Sequence, residues 1–522
     1  MSTMHDGINE EYIKTPGFSA GHAFHLEGKD RKLFRLLEIL PGALSWGTIL
    51  IIIILSFYKP VWAAFFVIAF DLYWLLKTVH LSLHHRHNWK RLLHNIDVDW
   101  EEQLDGLSYD HLYHMIILPF YKEGRDVVEE SIQSLLKTKY DPKKIIVVLA
   151  GEARAGEEPW QLAQTMKQLY QDQFGYFIST RHPADTPGEM AGKGSNISYA
   201  AEQARLEVLD PNNLAYENVL VSAFDVDTVA REQYLLCLTW HFLTTEDRYH
   251  ASYQPVPLYN NNIWEAPPIS RVAAMSSTFW QMIQQERPEK LTTFSSHSVP
   301  FVVLNKIGYW QKNMVSEDSR IFWNLYFAHN GNYRVVPISY PVSMDANLAP
   351  TFWQTMVNIY KQHRRWSWGV ENIPYMLFNF IKHKEIPLRK KIKHSFIQIE
   401  GFWSLATNPL VILFLGWFPI LLGGSEFRDT VLSYNLPIVT RNLMILAMGG
   451  LVLSAVIAFT LIPKMPAHYT RKPLRWIVMG LQWLFIPFTI IIFGAIPGLD
   501  AQTRLMFGKY MGFWVTPKHR GS

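Results

Sequence analysis

Cysteine is almost absent from this chain of 522 residues: Cys237 stands alone, which excludes an intrachain disulfide and suits a reducing compartment. Charge is scarce too. Asp, Glu, Lys and Arg make up 18% of the residues, low for a soluble enzyme of this size, against 49% hydrophobic residues. Neither sign dominates, and a formal net charge of +4 gives no support to nucleic-acid binding. Internal repeats and low-complexity stretches are missing. The first 40 residues include Asp6, Glu10, Glu11 and Glu27 and lack a short apolar core followed by a small-residue cleavage site, so no removable signal peptide is expected.

What the chain does have is long uncharged runs. Residues 39–58, 401–424, 442–463 and 476–499 carry no charge, and 60–76 carries only Asp71. Each approaches the roughly 20 apolar residues that a membrane-crossing helix needs. The 19 Trp and 31 Phe suit interfacial surface. Lys29, Arg31, Lys32 and Arg35 precede the first run; Lys77, Arg86, Lys90 and Arg91 follow the second. Arg389, Lys390, Lys391 and Lys393 precede the third, and Lys464, Arg471, Lys472 and Arg475 lie between the last two. The opposite loops hold only Lys59, Arg428 and Arg441, which places the amino terminus and the long middle region in the cytoplasm. Five crossings conflict with the basic tail of Arg504, Lys509, Lys518 and Arg520; a re-entrant 476–499, interrupted by Pro487, would resolve it. The expected organisation is a cytosolic segment 1–38, a transmembrane hairpin 39–82, an α/β domain 100–350, interfacial helices 351–394, an apolar region 395–499 and a basic tail 500–522.

Within 100–350, short apolar runs alternate with amphipathic helices, the pattern of strands joined by crossover helices in a largely parallel sheet. His114–Pro119, Lys144–Ala150 and Asn218–Phe224 read as buried strands, and Asp126–Leu136 as a helix with Val127, Val128, Ile132, Leu135 and Leu136 on one face. Residues 351–383 place Phe352, Met356, Ile359, Tyr360 and His363 at helical spacing, as in a helix lying on a membrane surface.

Three motifs carry chemistry. Asp225-Val226-Asp227 follows an apolar strand, and ligands of α/β sheets gather at carboxyl ends of strands. Two such carboxylates suit a Mg²⁺ or Mn²⁺ ion that bridges phosphates. A lone D-x-D is usually a polar turn, the reading given to Asp97-Val98-Asp99. Glu317-Asp318 precede Ile321–Phe327, read as a helix; acids in a first turn also complement the helix dipole. Gln362, Arg365 and Trp366 stand at i, i+3 and i+4 and share one helical face, followed by Gly369. A rival signal, His80-x-x-x-His84-His85, matches one histidine box of membrane di-iron oxygenases. No second box of this form exists, and histidines at a membrane interface account for it.

In this order, ahead of an apolar region, D-x-D, E-D and Q-x-x-R-W resemble the signature of family 2 glycosyltransferases that work at a membrane, such as cellulose, chitin and hyaluronan synthases. The likeness covers roughly 112–370. It implies a GT-A-like α/β domain between transmembrane helices and an inverting hexosyl transfer from a nucleotide sugar, UDP-linked. Asp225 and Asp227 would hold the metal, Asp318 act as general base with Glu317 as supporting acid, and Gln362, Arg365 and Trp366 order the acceptor and the donor phosphates. Pro119, Tyr121 and Glu123 resemble the family's nucleotide-binding turn, and Lys193 and Asn196 its Lys–Asn motif. A solvated loop lysine is the alternative for Lys193. The family's acidic pair after the second strand is replaced by Leu149-Ala150-Gly151-Glu152; Glu152 substitutes from a shifted position and leaves the base open. Phe513-Trp514-Val515-Thr516-Pro517-Lys518 resembles a cytosolic segment of the family. The expected partners are a nucleotide-sugar donor, a glycan or lipid acceptor and membrane lipids, with no nucleic acid, in a multi-pass protein of the plasma or inner membrane. A processive polysaccharide synthase is favoured over a single-transfer enzyme acting on a membrane lipid. An inactive transporter or scaffold is remoter, because the uncharged runs lack paired intramembrane charges, Asp71 excepted.

Overall fold

A computed structural model describes residues 8–466 and 472–519; Asp6, Arg471 and Arg520, invoked above, lie outside the described residues. Eight strands form one sheet in the order β3-β2-β1-β4-β7-β6-β8-β5. They are β1 (Tyr113–Pro119), β2 (Ile145–Glu152), β3 (Tyr176–His182), β4 (Val219–Ala223), β5 (Val229–Ala230), β6 (Ala251–Tyr259), β7 (His297–Pro300) and β8 (Arg334–Met344). The first four are parallel, and β7 runs antiparallel between β4 and β6. Beyond β7, β6 and β8 pair in parallel and run in the same direction as β1–β4, so the sheet is largely parallel as read from the sequence, with β7 and the short β5 running against the other six strands. This is the α/β domain that was expected, lying in sequence between apolar helices.

The near-continuous apolar runs of β1 and β2 follow from burial on both faces. Met115 and Ile117 with Ile146 and Val148 pack towards Ile197, Ala200 and Ala201, while Ile116 and Leu118 with Val147 and Leu149 pack towards Val128, Ile132 and Tyr170. Strand bounds fall within two residues of those read from the sequence. The helix expected over Ile321–Phe327 begins earlier, at Glu317, so both acids occupy its first turn.

Four helices among the described residues are long and apolar enough to cross a membrane: Gly28–Tyr58, Pro60–Asp97, Leu388–Leu413 and Pro473–Met506. The 442–463 segment lies in a further long helix, Val431–Leu461. The expected run 401–424 is not one helix: the chain leaves helical geometry at Phe414 and continues as two short pieces, Leu415–Trp417 and Phe418–Leu422. The 476–499 run is irregular, with a 3₁₀ turn at Gln482–Phe485 and a π-type stretch at Ile491–Ala495 on either side of Pro487, which has no amide hydrogen to donate. Its neighbours lie on the α/β domain and the interfacial helix. Arg271 Nε donates to Gln482 Oε1 (2.8 Å), Trp483 stacks on Phe279, and Asp500 accepts from Tyr360 (3.3 Å) and Arg364 (3.0 Å). Gln482, Trp483 and Asp500 of Pro473–Met506 thus contact the α/β domain or the Phe352–Ser367 helix.

The runs themselves hold no charge pair among the described residues, but one forms at their margins. Lys77 and Glu400 form an ion pair between the Pro60–Asp97 and Leu388–Leu413 helices, joined by Tyr73 (3.2 Å). Each stands one residue outside its uncharged run, so the runs viewed singly hide the pair.

Candidate functional site

The site forms at the carboxyl ends of β1, β2 and β4: the chain runs from β1 outward through β2 and β3 and then crosses back to β4 on the other side of β1, so the strand order reverses between β1 and β4 and a crevice opens there. All thirteen residues singled out in the sequence line one pocket: Pro119, Tyr121, Glu123, Glu152, Lys193, Asn196, Asp225, Asp227, Glu317, Asp318, Gln362, Arg365 and Trp366.

At one end, Glu123 Oε2 accepts the backbone N–H groups of Tyr121 (2.6 Å) and Lys122 (3.1 Å), so this carboxylate shapes its own turn. Glu152 ends β2 and is gripped by Arg154 through both Nε and a terminal nitrogen (3.1 Å for the latter). The same guanidinium lies 4.9 Å from the centre of the Tyr121 ring. Glu152 is therefore not a free carboxylate; it and Arg154 act as one acceptor–donor pair. Asn196 Nδ2 donates to the Ala150 carbonyl (2.7 Å), fixing the Lys193–Ala204 helix to the end of β2.

The two aspartates of D-x-D are both answered by lysines. Lys193 Nζ lies 2.5 Å from Asp225 Oδ1, and Ser295 Oγ donates to Asp225 Oδ2 (2.8 Å). Burial pushes the Asp225 carboxyl up, but Lys193 and Lys518 together outweigh it and hold it below the usual range. Asp227 is fully buried; its Oδ2 accepts Lys518 Nζ (2.5 Å) and the Asp345 backbone N–H (2.9 Å). Burial raises its carboxyl, with Lys518 opposing and Asp345 and Asp225 adding to the rise. Asp227 Oδ1 is buried without a hydrogen-bond partner. That orphaned oxygen, beside Asp225, fits a hard divalent cation, which takes oxygen ligands. Among the described residues no three His, Cys, Asp or Glu side chains converge on one point, so such an ion would complete its shell with ligand and water oxygens.

On the far side, Glu317 and Asp318 project from the first turn of Glu317–Ala328. Gly194 brings the Lys193 helix against them: a Cβ there would sit 2.7 Å from the Gln311 carbonyl and 3.0 Å from Glu317 Cβ. Glu317 is buried, and desolvation followed by the Asp318 charge pushes its carboxyl up to about 8. Asp318 Oδ2 accepts the Ser295 backbone N–H (3.1 Å). The Phe352–Ser367 helix turns Gln362, Arg365 and Trp366 into the pocket, as one face must at that spacing. Arg364 leaves in another direction, to Asp500 (3.0 Å). Arg365 lies 4.9 Å from the Phe513 ring, and Trp366 packs near Tyr259 (5.9 Å) and Phe294 (6.0 Å).

Sequence reasoning missed several residues here. Tyr259, Phe294, Ser295 and Met344 line the pocket but carry no motif. The tail segment noted for its resemblance closes over it: Phe513, Val515, Thr516 and Lys518 all line the pocket. Gly192 makes room, since a Cβ there would meet Phe513 Cγ at 2.7 Å. The histidine box assembles no site. His80 and His84 approach at 3.1 Å through Nε2, but His85 turns away onto Phe279.

The family model described as "Glycosyl transferase family group 2" matches residues 220–496, more than half of the chain. The poly-β-1,6-N-acetyl-D-glucosamine synthase of Staphylococcus aureus (strain MSSA476) is 21% identical over 359 residues, covering 67% of this chain and 74% of that protein. Among solved structures, the mannosyltransferase PcManGT from Pyrobaculum calidifontis, in complex with GDP-Man and Mn²⁺, is 13% identical with a TM-score of 0.44, covering 85% of this chain and 99% of that one. Residues 1–349 of S. aureus TarS in complex with UDP-GlcNAc are 13% identical with a TM-score of 0.35, covering 66% and 90%. The family match over that span, which takes in the second half of the α/β domain and the helices that follow it, makes this chain a glycosyltransferase of family group 2.

Proposed function

We propose that the chain is a membrane-embedded, inverting hexosyltransferase that uses a nucleotide sugar, UDP-linked, and works as a processive polysaccharide synthase. The observation that carries this is the convergence of Asp225, Asp227, Asp318, Arg365 and Trp366, far apart in sequence, on one pocket. The acceptor hydroxyl attacks the anomeric carbon, the bond from that carbon to the diphosphate breaks, and the hydroxyl proton passes to Asp318. A Mg²⁺ or Mn²⁺ ion held by Asp225 and Asp227 would offset charge on the departing diphosphate. Lys193, Lys518 and Arg365 supply further positive charge. Trp366 with Tyr259 and Phe294 forms an aromatic wall against which an acceptor sugar rests. Tyr121 and the Glu152–Arg154 pair face the base. The relation to a polysaccharide synthase supports a polymer product.

The α/β domain and both termini lie in the cytoplasm, where nucleotide sugars are made. The basic clusters support this, as do the contacts of Pro473–Met506 with the domain at Gln482 and with the Phe352–Ser367 helix at Asp500. Gly28–Tyr58, Pro60–Asp97, Leu388–Leu413 and Val431–Leu461 then cross the membrane, an even number. Incubating the purified protein with a panel of radiolabelled nucleotide sugars and sizing the product by gel tests the reading. A ladder or long polymer from one UDP-sugar is expected; a single sugar on extractable lipid would replace the polymer reading, and no transfer from any donor would remove it.

Glu317 has a consequence for pH. Its carboxyl, near 4.5 when unfolded and about 8 when folded, binds more protons in the folded state between those values. Stability therefore falls as pH rises through that window. Ionisation also adds a negative charge where the diphosphate departs, so the transfer rate should decline above about pH 8. Glu317→Gln, which cannot ionise, should lose this alkaline limb in a kcat–pH profile. An unchanged limb would assign it to another group.

A further inference from the structure

Ser295 occupies an unusual place. It is a buried non-glycine residue with φ of 44°, in the left-handed region that side chains disfavour. From that conformation it reaches two acids at once: its backbone N–H donates to Asp318 Oδ2 (3.1 Å) and its hydroxyl to Asp225 Oδ2 (2.8 Å). No other residue is hydrogen-bonded to both among the described residues. Such a conformation persists only where the surroundings over-determine it, and here the support is visible. The Ser295 carbonyl accepts both the backbone N–H (2.9 Å) and Nδ1 (2.8 Å) of His297. On the other side of the ring, Trp310 Nε1 donates to His297 Nε2 (3.0 Å). An indole N–H only donates, so Nε2 accepts and the imidazole proton sits on Nδ1. The ring is thus neutral, held as a single tautomer, and burial keeps it so by pushing its basicity down to about 4. His297 opens β7 opposite Ala223, two residues before Asp225, so the relay is anchored in the sheet.

We propose that His297, oriented by Trp310, is a positioning residue that holds Ser295 in its left-handed conformation and thereby aims both Asp225 and Asp318. The inference rests on the glycosyl-transfer reading above. It separates the role of aiming the base and the cation-side carboxylate from the role of providing them. His297 neither touches substrate nor transfers a proton; its effect passes through the hydrogen bonds its backbone N–H and Nδ1–H donate to the Ser295 carbonyl.

The test uses the full-length protein in detergent or nanodiscs, with active sites counted by UDP titration. His297→Leu removes donor and acceptor together. Its kcat per counted site should fall by about 100-fold, the scale of a catalytic group displaced by an ångström, with the donor KM raised as Asp225 loosens. His297→Gln, which keeps one amide donor and one acceptor, should recover most of the kcat. Trp310→Phe, which keeps the ring but not the N–H, should show the same direction more weakly. Activity lost by His297→Leu only in proportion to counted sites, with kcat per site and KM unchanged, would overturn the proposal, as would failure of His297→Gln to recover kcat while its UDP titration matches wild type. A wild-type protein that transfers no sugar removes the underlying reading instead, whereas active His297 variants remove only this inference.

Discussion

Asp318→Asn lowers the rate of sugar transfer by about 10²–10⁴-fold, the range attributed to one positioned general base, while UDP binding stays within about twofold of wild type. The reason lies in what each part of the pocket does. Asp318 accepts N–H groups from Ser295 (3.1 Å) and Ser319 (2.8 Å), and Asn offers an oxygen to one of them, so the fold of the loop survives. What is lost is the group proposed to take the hydroxyl proton. The diphosphate side, with Asp225, Lys193 and Lys518, is untouched. Rates from labelled donor and affinities from calorimetry, measured on the same preparation, check both halves. Turnover comparable to wild type would remove Asp318 as base.

The second large effect belongs to the D-x-D carboxylates. Asp225→Asn with Asp227→Asn should abolish the dependence of UDP affinity on Mn²⁺ and weaken binding in Mn²⁺ by about 10–100-fold, which is about 1.4–2.7 kcal/mol. In wild type each carboxylate is matched to a lysine, Asp225 to Lys193 and Asp227 to Lys518, and both lysines gain basicity from those partners against the cost of burial. Removing both acids leaves the two ammonium groups without their ion-pair partners, faced only by the charges of Asp318 and Asp345. They attract phosphate directly, so residual UDP binding should persist and become insensitive to the metal. A calorimetric titration with and without Mn²⁺ reads this. Equal Mn²⁺ enhancement in variant and wild type would count against the carboxylates as the cation's ligands. The tail should loosen too, because Lys518 loses its ion pair with Asp227; protease cleavage within 511–519 should become faster in the variant.

The parts of the site that were legible in the sequence share a physical cause. Asp225 and Asp227 follow β4, a run buried along its whole length, so the strand's end and the pocket coincide. Gln362, Arg365 and Trp366 had to share a face because helical geometry fixes it. Glu317-Asp318 sit at a helix start whose glycine-lined neighbour admits close approach. The illegible parts depend on contacts between distant segments. Ser295 and His297 lie in T-F-S-S-H-S, which has neither helical nor strand periodicity, and their role exists only once β7 reverses beside β4. Arg154 was overlooked although it grips Glu152 two residues away, because the 3₁₀ turn that brings it back has no sequence signal. The Lys77–Glu400 pair required two helices to be seen together. Hydropathy made 476–499 a fifth crossing and the basic tail spoke for re-entry; the contacts of Gln482 with Arg271 and of Asp500 with Tyr360 and Arg364 appear only in the folded chain.

In the proposed transfer a nucleoside diphosphate lies along this pocket, its base near Tyr121 and its phosphates near Asp225 and Asp227. Photolabelling the purified wild-type protein with 5-azido-UDP in Mn²⁺, followed by peptide mapping, tests it most directly. Label on peptides carrying residues 119–123 or 151–154, suppressed by excess UDP, is the expected result. UDP-protected label confined to peptides outside the α/β domain would contradict it.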